Sequence, residues 1–199
     1  MKKIYHFHSL LICLFLVACS GTQTDISADL ANAVITIADL PQGYQPLSDE
    51  NLQMLGMTRE QFSASFSAMS MNLKPVSFST FMNPDPNNLG MFFAMVLYPL
   101  SKDDIRSWDN QIQDVEKTAT DLAAGMGEGI VLMPRPEYTG IGDGSIGFVT
   151  NLEGLKVEII LVRRNDTAML LMSEFLQTGV DLFSLALKLD QRVEGAYKK

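Results

Sequence analysis

Residues 91–98 (MFFAMVLY) are apolar on both faces of an extended chain, which places them in the interior of a sheet covered on both sides. Just before them, residues 76–82 alternate, with Val76, Phe78, Thr80 and Met82 sharing one face, and the turn-rich run 83–90 (NPDPNNLG) joins the two as a hairpin. From Ser101 the period changes. Ile105, Trp108, Ile112, Val115, Ala119, Leu122 and Met126 recur at spacings of three and four, predicting one amphipathic helix from 101 to about 125. A Ser101–Asp104 capping box opens it, and Gly125-Met126-Gly127 ends it. Four strands follow at 130–133, 145–150, 155–164 and 167–175. In the third, Leu155, Val157, Ile159 and Leu161 alternate with Lys156 and Glu158, which predicts one buried face, and Asn165-Asp166 is the two-residue turn into the fourth. The glycine-rich run 140–147 (GIGDGSIG) reads as a tightly turned strand entry, since the lysine of a phosphate-binding loop is missing. A last helix spans 180–194, with Leu182, Phe183, Leu185, Ala186, Leu189 and Val193 inward and Thr178 with Asp181 as its capping box.

Upstream the pattern is weaker. Residues 28–37 (ADLANAVITI) fit a short helix or a strand, and periodicity does not arbitrate. Residues 39–44 form a turn, because Pro41 forces Leu40 out of helical space and Gly43 permits a positive φ. Residues 50–71 are helical but weakly patterned, interrupted by Gly56 and rich in serine beyond Ser63. Their Met and Phe side chains fit either a core segment or a semi-mobile lid, and Met54, Met57, Phe62, Phe66 and Met69 are the candidate contacts for an apolar ligand. The resulting fold class is α+β, an antiparallel β-sheet flanked by two amphipathic helices.

The N-terminus carries a different signal. Lys2 and Lys3 precede the apolar run 10–17 (LLICLFLV), which is too short to span a bilayer and has the layout of a secretory signal peptide. The run closes on Leu16-Val17-Ala18-Cys19, and these residues resemble a bacterial lipobox. The resemblance implies cleavage before Cys19, a diacylglycerol thioether on its sulfur, and an extracytoplasmic protein anchored to the membrane through an N-terminal lipid; two or more acyl chains give stable anchoring. Ser20 after that cysteine, rather than Asp, resembles an outer-membrane sorting signal where the host is Gram-negative. The expected division is a lipoprotein signal peptide at 1–18, a lipidated N-terminus and tether at 19–38, polar along 20–27 (SGTQTDIS), and a single α+β ectodomain at 39–199.

Charge and chemistry narrow the function. The chain has 15 Lys+Arg against 23 Asp+Glu, a net charge of -8, which argues against nucleic acid as a partner. Loss of 1–18 would remove His6, His8 and Cys13 and leave Cys19 alkylated. Catalysis by Ser-His-Asp or Cys-His and metal ligation by His or thiolate are then excluded, and no cofactor or metal is expected. Asp85, Asn87 and Asn88 lack the spaced carboxylates of a calcium loop. Glu137 and Asp143 form no demonstrable carboxylate pair, and Ser77 with Lys74, or Ser101 with Lys102, fit no Ser-x-x-Lys arrangement. The chain is therefore expected not to be an enzyme.

The order of elements over residues 39–194 resembles the fold shared by PsbP, Mog1 and LpqN-type lipoproteins, with helices around an antiparallel sheet; that resemblance implies a fold and transfers no active-site residue. The expected function is a non-catalytic protein-interaction or assembly module at the cell envelope, binding an envelope protein partner. Its candidate partner contacts are Arg163, Arg164, Asn165 and Asp166 at a hairpin tip, weighed against a merely solvated turn. The alternative is a carrier of an apolar small molecule or lipid.

Overall fold

The computed structural model of the protein describes residues 26–54, 58, 75–126, 129–152, 154–177 and 179–199. At its centre lies β3 (Gly90–Leu97), the run expected to be buried on both faces. Phe92, Ala94 and Val96 enter one apolar layer and Phe93, Met95 and Leu97 a second, each at most 3% exposed. β3 pairs with β2 (Pro75–Asn83) on one side and β7 (Thr167–Phe175) on the other. With β1 (Gln45–Pro46), β4 (Met133–Pro134), β5 (Gly144–Leu152) and β6 (Leu155–Arg164) they form a seven-stranded antiparallel sheet ordered β1-β2-β3-β7-β6-β5-β4.

Helices cover both faces. α5 (Leu182–Tyr197) and α1 (Ser27–Ala31) lie over the layer of Phe92, Ile160, Val162 and Leu171. α3 (Lys102–Gln113) and α4 (Val115–Met126) lie over the layer of Phe93, Phe148, Ile159 and Leu161. α2 (Asp49–Met54) closes a small cluster in which Leu52 meets Leu47 and Met82. The architecture is thus α+β with an antiparallel sheet between helices, as the pattern of apolar positions implies. Trp108 is 2% exposed beneath α3, and Phe183 packs under α5 with its ring stacked 6.0 Å from that of Tyr138.

Several expectations need correction. The single helix from 101 to 125 is two helices, broken at Asp114. Asp114 keeps its N–H on Asn110 O while its Oδ1 accepts the Lys117 N–H, so one residue ends α3 and caps α4. The apolar stripe survives the break because the chain resumes helix at once. α5 is capped by Asp181, which accepts the Ser184 N–H at 3.0 Å, and it starts at Leu182 rather than 180, while Thr178 lies outside the described residues. The strand expected at 130–133 shrinks to Met133–Pro134. Val76 does not share a face with Phe78: a register shift between Pro75 and Ser77 turns Val76 toward the α5 layer. β6 is buried on both faces, because α5 covers the side expected to be polar, and Glu158 is only 5% exposed. The tether ends earlier than residue 38, since Leu30, Ala33 and Ile35 are buried in the α5 layer.

The turned strand entry at 140–147 is present, with Gly140 and Gly142 at positive φ before β5 begins. A side chain at 142 would drive into the carbonyl of Arg163, so only glycine fits.

Both sheet edges are closed by the same device. Arg135 N–H donates to Gly147 O, so Arg135 and, two residues away, Met133 turn their backbone groups toward β5, and Pro134 faces outward. On the other edge Leu47 N–H donates to Thr80 O, so Leu47 and Gln45 face β2 and Pro46 faces outward. At each edge the outward residue of a two-residue strand has no N–H to offer a further strand.

Candidate functional site

An apolar groove lies beside the β4 edge, between α4 and the segment leading into β4. α4 contributes Ala119, Thr120, Ala123 and Ala124; the opposite wall is Gly129, Ile130, Val131, Leu132 and Pro134; Glu116 stands at one end. Ala119, Ala123 and Leu132 also belong to the core layer under α4, so the groove floor is the outer surface of that layer. Its volume is about 730 Å³, in the range of small-molecule sites, yet it is open to solvent along its length. Val131 is 69% and Met133 50% exposed. Two exposed large apolar side chains close together in sequence are a more informative surface feature than a lone exposed leucine. The groove forms because residues 130–132 do not pair as a strand: Leu132 turns into the core and leaves Val131 outward.

The sequence places its contact residues elsewhere. Arg163, Arg164, Asn165 and Asp166 are at the β6–β7 turn, with Asn165 at φ 51 as its turn position requires. Their polar groups are engaged within the molecule. Arg163 Nε is 2.5 Å from Asp109 on α3, and its Nη1 is 2.9 Å from Asp143 and 3.1 Å from Asn165 O. Arg164 makes a two-pronged pair with Asp190 on α5, at 2.5 and 2.6 Å. Asp166 accepts the Tyr197 hydroxyl and, through its carbonyl, the Leu100 N–H. Burial and the bond to Asp166 push the Tyr197 hydroxyl well above its usual pKa. The hairpin tip therefore ties both helical layers to the sheet through its two arginines.

Cys19, Met57, Phe62, Phe66 and Met69 lie outside the described residues, and Met54 is described only as the last backbone position of α2. The acids considered for catalysis pair with different arginines. Glu137 is 2.5 Å from Arg135, and Asp143 is 2.9 Å from Arg163. Ser77 Oγ donates to Ala33 O, and Ser101 caps α3. Asp85 accepts the Asn87 N–H in a local turn.

A second polar cluster was not legible in the sequence. Glu158 is buried with Lys156 Nζ at 2.7 Å and accepts the Tyr138 hydroxyl at 3.2 Å, while the Arg135 guanidinium lies over the Tyr138 ring. Burial first, then the Glu158 charge and its hydrogen bond, push the Tyr138 hydroxyl up to about 12. Each member has a partner, so the cluster fastens β6 to the 135–138 turn, whose Tyr138 ring also stacks on Phe183 of α5.

Comparison with family models, with curated proteins and with solved structures yields no significant match for this chain.

Proposed function

We propose that the protein is a non-catalytic protein-interaction module, held outside the cytoplasmic membrane by a lipid on Cys19 and docking a partner protein in the groove between α4 and β4. One observation carries the reading: Val131, 69% exposed, lines an open apolar groove of about 730 Å³ on a chain of net charge -8. The lipobox-like Leu16-Val17-Ala18-Cys19 supplies the anchor, and Ser20 favours the outer membrane where one exists. The separate pairing of Glu137 and Asp143 with two arginines supports a non-catalytic role. We also place the domain with the PsbP, Mog1 and LpqN-type folds, a placement supported by the order hairpin, paired helices, three hairpin-connected strands and final helix. The carrier reading keeps its candidate contacts Met54, Met57, Phe62, Phe66 and Met69.

The test uses a photo-crosslinking side chain in place of Val131 in the membrane-bound protein, with the exposed Asn151 as control position. A discrete protein adduct from 131 and none from 151 is expected. Adducts to lipid alone, or equal protein adducts from both positions, contradict the reading.

A further inference from the structure

What kind of chain can enter the groove is set by the backbone at its edge and by Glu116, its charged lining residue among the described residues. An extended segment would dock by adding a strand to β4, and that requires a donor on the outward side of the strand. Within β4, Pro134 is the outward residue and has none, and Met133 and Arg135 turn their N–H groups to β5. A helix satisfies its own backbone and needs no donor from its host. The α4 wall suits one: Ala119, Ala123 and Ala124 are short enough for a second helix axis to approach closely, with Val131 as the opposing ridge. Glu116 is the charged residue of the groove among the described residues, and its carboxylate has no hydrogen bond or ion pair there. The net charge of -8 adds to its attraction for a cation.

We propose that the groove takes an amphipathic α-helix of a partner protein, its apolar face against α4 and Val131 and a Lys or Arg against Glu116. The proposal rests on the interaction-module reading and narrows it to one partner class.

A displayed peptide library tests it, half patterned with an apolar period of 3.6 and half with a period of 2, each half carrying Lys, Glu or neutral ends. Selection is on the full chain in mild detergent. The expected result is enrichment of Lys-bearing helical members by about tenfold over all others, a difference of about 1.4 kcal/mol. That enrichment should be lost in Val131→Asp, while Glu116→Lys should move the preference to Glu-bearing helices. Both sites are on the surface, and Trp108 fluorescence checks that each variant is folded. Enrichment of period-2 members that depends on Val131 overturns the helix proposal and leaves the interaction reading standing. Helical enrichment that ignores either substitution overturns the proposed site. Absence of any Val131-dependent enrichment overturns both.

Discussion

Arg163 and Arg164 are adjacent in β6, so their side chains leave opposite faces of the sheet, and each finds a carboxylate on a different helix. The two ties differ in worth because they differ in burial. Asp190 has a side chain 8% exposed, so Arg164→Met would strand a buried carboxylate and is expected to cost about 3 to 5 kcal/mol in urea unfolding. The double change Arg164→Met with Asp190→Leu should regain most of that. Arg163 pairs with Asp109 and Asp143, which are 36% and 38% exposed, and Arg163→Met should cost about 1 kcal/mol. Equal losses at the two positions would contradict this account of the two ties. Two carboxylates pull the response to pH in opposite directions. Burial alone would raise Asp39, but hydrogen bonds from Arg192, Thr36 and Lys188 outweigh it and hold the group well below the carboxylate range. Its stabilisation is complete above 3.8 and is lost as pH falls toward the folded value. Glu174 behaves oppositely. Burial raises it above 4.5, and it has no hydrogen bond or ion pair among the described residues, so its ionised form opposes folding near neutral pH and protonation relieves that as pH falls. Glu174→Gln should therefore stabilise the protein at pH 7 by about 1 kcal/mol and remove the gain on mild acidification. A variant no more stable than the parent at pH 7 would count against the burial assigned to Glu174.

Among the elements, those with strong periodicity were legible in the chain. β3 was apolar on both faces because it is central, and β6, β7 and α5 fell within a few residues of their observed limits. The α3–α4 stripe was also readable, with Trp108 and Ala119 buried and Ile105, Ile112, Val115 and Leu122 packed against the same layer. Trp108→Ala should accordingly cost about 3 to 5 kcal/mol, and iodide should quench native Trp108 much less than the unfolded chain. Features that depend on tertiary context were not legible. The break at Asp114 leaves the three-four spacing intact, so periodicity is blind to it. Glu158 looked like an outward strand position until α5 covered that face. The groove was hidden because residues 130–132 have strand-like composition but are not part of a strand, and the arginine pair looked like an exposed tip because its carboxylates are 20 to 54 residues away in sequence. The edge prolines make their own prediction. Pro46→Val and Pro134→Val each restore an outward N–H, and in sedimentation velocity either variant should shift toward larger species than the parent. Unchanged sedimentation for both would show that these prolines do not guard the edges.

At the scale of the whole molecule, a tether and a contact surface have to be compatible. The described chain enters at Ile26 beside the α5 layer, whereas the groove lies at the β4 edge next to the α3–α4 layer. Ile26, the first described residue, and the groove therefore lie on opposite layers of the sandwich. Cys19→Ser should release the protein from the membrane fraction and abolish labelling by a palmitate analogue, and retention of both membrane association and label would refute the anchor. The central claim, that the molecule binds a protein in the α4–β4 groove instead of carrying an apolar ligand, is tested most directly by native mass spectrometry of the protein released gently from its own membranes. The account predicts a protein–protein complex without a stoichiometric small molecule, and loss of that complex in Val131→Asp. A stoichiometric apolar ligand released on unfolding, with no protein partner, would contradict it.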